Sequence, residues 1–352
     1  VNRKAGWDTH GLPVEIEVEK RLGIEGRHKV EEFGLEAYNK ACKDSVLEYT
    51  GLWHQLTERM GYWVDMNDPY ITYETAYIES VWWLLKQIYD KGLLFRGYKI
   101  QWYSPGSNTV LSSHEVSLGY KEVQDPAVFV RFPLEGEENT SFLAWTTTPW
   151  TLISNTALAI HRNIDYVKIR HLLASGEAEY LILAKNRLSV IKDDYEIISE
   201  HKGAEFLGLS YEPPFDYFVT EVGKEAAWRV IHADFITDSD GTGVAHEAPA
   251  FGADDYNAVV LKEKMPLFNP VKPDGTFEDR ITLVAGMHFK EADKVISRKL
   301  KEQGKLFRLE TYLHNYPHDW RKGTPLMQYP MESWFIRTSS IKDRLVALNK
   351  TI

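Results

Sequence analysis

Between Ala127 and Thr237 the chain gives up helical spacing. Short runs alternate apolar and polar residues: AVFVRFPL, FLAWTTT, YVKIRHL, EYLILAK, YEIISEH and WRVIHADFIT. A period of two sends successive side chains to opposite faces of a strand, so each run reads as a half-buried strand. Turn-forming stretches such as HKGAE and DSDGTG separate them. Many short strands at close spacing must bury themselves against each other, which predicts a barrel or a sandwich. The region 125–312 is therefore expected to be one β-rich domain with a few inserted helices.

The flanks differ in texture. From Leu35 to Met60 apolar residues recur at helical spacing, closed by Gly61. ETAYIESVWWLLKQIYDKG predicts a second helix, with Ile78, Val81, Trp82, Leu85 and Ile88 on one stripe and Gly92 after its end. Trp82 and Trp83 are expected to pack that helix. FKEADKVISRKLKEQGKLF, 289–307, predicts a further helix whose lysines form a solvated face or meet a phosphate. Four segments result: 1–50, 51–124, 125–312 and 313–352. A chain of 352 residues is long enough for two or three domains, at roughly 100–200 residues each.

Composition excludes some classes. No run is long and apolar enough to span a bilayer. VNRKAGWDTHGLP opens without Met and without an apolar targeting core, as a segment of a longer chain would. Cys42 is the single cysteine, so there is no internal disulfide and no thiolate zinc site, as expected of a cytoplasmic protein. The net charge of −10 argues against a dedicated nucleic-acid binder, although a local basic patch would suffice to hold RNA. There is no Gly-x-Ser-x-Gly, His-Glu-x-x-His, P-loop or Gly-x-Gly-x-x-Gly.

Two constellations remain. WTTTPWTL, 145–152, carries four hydroxyls in six residues. A buried strand does not need them, but a site that binds a polar ligand does. GTGVAHEAPAFGADD, 241–255, joins Gly241 and Gly243, which permit close backbone approach, to His246 and to Asp254 and Asp255 before a helix-like run. One aspartate suffices as a helix cap, which leaves the other free for a site.

These motifs resemble isoleucyl-tRNA synthetases, and the resemblance covers essentially the whole chain. GWDTHGLPVE, 6–15, resembles the segment after the first ATP-binding signature of the class I enzymes for Ile, Val and Leu. WTTTPWTL and GTGVAHEAPAFGADD resemble the two signatures of their inserted editing domain. ESWFIRTS, 332–339, resembles the return to the catalytic domain. The valyl and leucyl types resemble TTRP where this chain has Thr146-Thr147-Thr148-Pro149, and carry Lys (valyl) or Met (leucyl) at the position of His246. Trp150 and His246 thus point to the isoleucyl type.

The resemblance implies an α+β protein, with a β-barrel-like editing domain inserted into flanking α/β segments of a class I catalytic domain. It implies hydrolysis of mischarged valyl-tRNA(Ile). A pocket that accepts isoleucine cannot strongly exclude valine, one methylene smaller, and isoleucine against valine is itself the worked case of that limit. A second pocket that refuses isoleucine by size solves the problem. Asp255 is then expected to hold the α-ammonium, with His246, Thr147 and Thr148 around a water at the ester. Thr146, Trp150, Asn155, Gly243 and Asp254 are expected to line the substrate. His246 is open to two roles, general base or positioning group.

The expected partners are the tRNA(Ile) 3′ acceptor end and its valyl-adenosine moiety, bound by a monomer away from membranes. Both ATP-binding signatures of the family are absent, so ATP chemistry belongs to the full-length enzyme and the alternative is a module that docks the acceptor end without catalysis. The family's Cys-x-x-Cys pairs fall near YSPGSNT and PHDWRKGTP, where this chain has Ser104, Ser107, Asp319 and Lys322. A degenerate zinc-ribbon-like loop without structural zinc is expected there.

Overall fold

The computed structural model describes residues 3–173 and 176–352. The chain forms two compact units, Val1–Gly97 with Glu332–Ile352, and Tyr98–Met331.

In the first unit the parallel strands Lys4–Trp7 and Asp65–Ile71 bracket helices Leu12–Leu22, Arg27–Phe33, Leu35–Val46 and Thr50–Arg59. The helical tract expected from Leu35 to Met60 is real but breaks at Leu47–Tyr49. The WW-bearing segment is the helix Thr75–Asp90. Gly92 follows it at φ 66°, and the N–H groups of Gly92 and Leu93 return to the carbonyls of Tyr89 and Ile88. Trp82 and Trp83 do not pack as expected: they are 72% and 62% exposed. The stripe is amphipathic, but none of the helix's residues is buried.

The second unit is built on a six-stranded sheet. Its order is Tyr195–Lys202, Asp165–Leu172, Ala178–Ala184, Thr140–Thr146, Tyr120–Pro133 and Leu306–Pro317. The expected domain start at residue 125 lies within the strand Tyr120–Pro133. Period-two alternation buries both faces. Val128, Val130 and Phe132 enter one core with Phe142, Leu158 and Phe289, while Phe129 enters another with Leu143, Val167, Ile169 and Leu181.

The protein is mixed α and β as expected, but its sheets are open and the barrel expectation fails. The outer strands Tyr195–Lys202 and Leu306–Pro317 each pair on one side only. Glu196, Glu200 and Lys202 leave the first edge charged and exposed, which disfavours closure onto another strand.

A second, three-stranded sheet positions the site. Its central strand Ala157–Ile160 is completely buried. Arg229–His232 runs parallel to it on one side, and Ala245–Glu247 antiparallel on the other, with His246 opposite Leu158. Among the described residues, no helix is long and apolar enough to cross a membrane.

Candidate functional site

The threonine run ends a strand and begins a helix. Thr146 is the last residue of Thr140–Thr146, and Thr148 precedes the 3₁₀ helix Pro149–Ser154. Proline suits the first helical turn because its missing N–H would have no partner there. A 3₁₀ turn has three residues, so Thr148 and Thr151 are stacked on one face. Their hydroxyls lie 3.4 Å apart, and Thr146 Oγ1 lies 3.1 Å from Thr148 Oγ1. Thr147 is half-buried and makes no hydrogen bond to another described residue. Alternation has turned it away from Thr146 and Thr148.

His246 joins this row. Its Nε2 is 2.8 Å from Thr151 Oγ1, and its Nδ1 is 3.0 Å from Asn155 Nδ2. Asn155 is buried and fully engaged. Its Nδ2 also donates to the Ala157 carbonyl at 3.1 Å, and its Oδ1 accepts from the Tyr211 hydroxyl at 2.7 Å.

These contacts assign every proton. The amide nitrogen of Asn155 can only donate, so His246 Nδ1 is the acceptor and Nε2 carries the hydrogen. Nε2–H donates to Thr151 Oγ1, whose own hydroxyl donates to the Thr148 carbonyl at 2.8 Å. The chain of donors therefore runs one way: Tyr211, Asn155, His246, Thr151. This tautomer follows from the network rather than from visible hydrogens. Burial holds the His246 pKa down to about 3, so the ring is neutral at physiological pH.

Asp255 is tied to the loop that follows His246. Its Oδ2 accepts from the Ala248 N–H at 2.8 Å, two residues past His246, and the carboxylate folds over Gly252, where a Cβ would stand 2.4 Å from Oδ1. Burial pushes the Asp255 pKa up to about 6; the N–H groups of Ala248 and Asp255 oppose the rise and Asp254 adds to it. Asp254 is exposed and the helix start has no side-chain cap, so the expected division of labour is altered: Asp255, not Asp254, ties down the backbone. Next to them Glu247 is buried with no partner for Oε2, and burial plus the two aspartates push its carboxyl well above the usual range.

Trp150 sits in the core, 2% exposed, with ring centroids 4.5 Å from Phe251 and 4.8 Å from Phe289. Its backbone N–H donates to the buried Asp293 at 2.8 Å, which anchors the 3₁₀ helix. Gly243 is buried at φ 74°, where a Cβ would approach Ala184 Cβ to 2.4 Å, and its carbonyl accepts from the Tyr166 hydroxyl. Thr151 and Tyr211 were not among the expected site residues. The spacing of three from Thr148 to Thr151 was the available signal for the first.

The family model for class I tRNA synthetases (I, L, M and V) matches residues 1–352. The chain belongs to that family. Its relatives include the isoleucine–tRNA ligases of Clostridium acetobutylicum, 50% identical over 352 residues, and of Clostridium tetani, 50% identical over 353. The resemblance to the isoleucyl enzymes is thus borne out. Each alignment covers the whole of this chain and 33% of the relative, so the chain spans about a third of their length. Among solved structures it is similar to one described as GlLeuRS-CP1, at TM-score 0.41 and 13% identity, over 53% of this chain and all of that one. The Plasmodium knowlesi cytosolic leucyl-tRNA synthetase editing domain gives TM-score 0.38 and 11% identity, over 55% of this chain and 99% of that one.

The class I resemblance also raises zinc, and the residues present do not fit it. Asp319 is 1% exposed and its Oδ2 accepts from Ser104 Oγ at 2.7 Å and Ser107 Oγ at 2.5 Å. Its Oδ1 accepts from the N–H groups of Arg321 and Lys322. Burial alone would raise this carboxyl, but the two hydroxyls and two N–H groups outweigh it and hold it below the usual range. The four positions hold no thiolate, and a hydrogen-bonded carboxylate occupies their centre.

Proposed function

We propose that the chain hydrolyses the ester of valyl-tRNA(Ile), the editing reaction of an isoleucyl-tRNA synthetase. The observation that supports this most is the one-way hydrogen-bond chain from Tyr211 to Thr151. It holds a neutral, donor-bearing imidazole against a row of threonine hydroxyls, two residues before the Ala248 N–H that Asp255 accepts.

In this proposal the free oxygen of Asp255 binds the α-ammonium of the ester. Above about pH 6 the carboxyl is ionised and suited to that task. The ammonium then fixes the carbonyl relative to Thr148 and Thr146, whose hydroxyls orient a water for attack. His246 is not the base. Its lone pair at Nδ1 is taken by Asn155, and its Nε2 already bears the proton. It acts as a fixed wall and donor, and its rigidity is what excludes the larger side chain. The water oxygen bonds to the carbonyl carbon, the bond from that carbon to the terminal ribose oxygen breaks, and the proton the water loses passes to the departing ribose oxygen, giving valine and free tRNA.

The test is a deacylation assay with the chain on valyl-tRNA(Ile) and isoleucyl-tRNA(Ile). Turnover of the first only, lost in Asp255→Ala with an unchanged melt, is the expected result. Binding without turnover would replace the proposal with a docking module for the acceptor end.

A further inference from the structure

We infer that His161, His232 and Asp234 form a binding site for one first-row divalent transition metal ion, separate from the residues that carry the proposed hydrolysis. One ligand atom from each lies within 4.8 Å of the other two. The sheet brings them together. His232 ends the strand Arg229–His232 and is paired in register with Ile160, and His161 is the next residue along. The two imidazole rings meet edge to face at 5.1 Å between centroids, and Asp234 Oδ1 is 2.9 Å from His232 Nε2.

The donor set selects the class of ion. Two imidazoles and one carboxylate suit zinc, cobalt, nickel or copper, whereas magnesium and calcium require oxygen ligands. Ligand atoms around a tetrahedral zinc stand about 3.4 Å apart, so small side-chain rotations close the triangle. In the metal-free protein His232 Nδ1 accepts from the Arg162 N–H at 3.3 Å, and Nε2–H donates to Asp234 at 2.9 Å. Ligation through Nε2 moves that proton to Nδ1, which gives up the Arg162 N–H and turns to the Ile160 carbonyl, 3.4 Å away. His232 is buried, His161 half-buried and Asp234 exposed, which gives a rigid base and an open mouth with a fourth position for water.

The site staples the far end of the strand Ala157–Ile160, whose near end follows Asn155. Metal binding therefore joins His161 to the neighbouring strand and raises the melting temperature.

The experiment titrates tag-free, metal-stripped chain with Co²⁺ and then Zn²⁺. One ligand-field spectrum per chain, displaced by Zn²⁺, is expected. His161→Gln should abolish it and Asp234→Asn should weaken binding at least about tenfold, with metal-free melts unchanged because both side chains reach the surface. The spectrum should persist in Asp319→Asn, which separates this site from the Ser104 and Ser107 cluster. No ligand-field band, or a full-strength band in His161→Gln, overturns the inference.

Discussion

The hydroxyl of Thr151 receives the Nε2 proton of His246 at 2.8 Å, and hands its own to the backbone of Thr148. Thr151→Val removes the acceptor and keeps the shape. Deacylation of valyl-tRNA(Ile) should fall at least about tenfold, while stability drops by about 2 kcal/mol, the ordinary worth of the two hydrogen bonds lost. A melt and a single-turnover assay on the same preparation check both. An unchanged rate would remove Thr151 from the site.

His246 as donor and His246 as base predict different substitutions. Gln can still donate to Thr151, whereas Ala cannot. We expect His246→Gln to retain more activity than His246→Ala. With its pKa near 3, His246 should leave no inflection in kcat around pH 6.5. KM should instead rise as pH falls through about 6, where Asp255 takes up a proton and loses its grip on an ammonium.

The same carboxyl has a cost in stability. Its folded pKa of about 6 lies above the unfolded value of 3.8, so folding is favoured below the lower value and loses that advantage as pH rises through the upper one. Asp255→Asn keeps the acceptor for Ala248 and removes the buried charge. It should stabilise the chain at pH 8 by on the order of 2 kcal/mol, and by nothing below about pH 4. Urea melts at the two pH values decide it.

Asp319 is the hub of its loop, and the Ser104 hydroxyl is one spoke. Asp319→Ala strands the buried Ser104 hydroxyl, the half-buried Ser107 hydroxyl and two N–H groups, and should cost about 3 kcal/mol. Ser104→Ala should cost about 1 kcal/mol, since Ser107 and the backbone still hold the carboxylate. Equal melts for the two variants would contradict the hub.

Gly243→Ala should be severe for two independent reasons. The residue sits at φ 74°, and its new Cβ would collide with Ala184. A left-handed penalty and overpacking together predict a loss of about 2–4 kcal/mol. A chemical denaturation curve measures it.

The local motifs named Thr148 and His246, and the fold brings both against Thr151. Thr148, His246 and Asp255 stand in short Gly- and Pro-marked stretches whose residue types have few structural uses. What stayed hidden depends on distant pairing. Tyr211 reads as one more aromatic until the fold sets it 2.7 Å from Asn155. Asn155 was expected against the substrate; the fold buries it and hydrogen-bonds it to His246. Barrel closure failed because strand patterning says which face is apolar, not which edges meet. Trp82 and Trp83 show the converse: helical periodicity was legible, but the surface that would cover it was not.

The His246 cradle also has a history in time. Its two anchoring contacts span 95 and 91 residues of sequence, to Thr151 and Asn155. Contacts so remote form late, because the loop they close must first be gathered by the surrounding sheet. A nascent or half-folded chain therefore carries every residue of the site and none of its geometry.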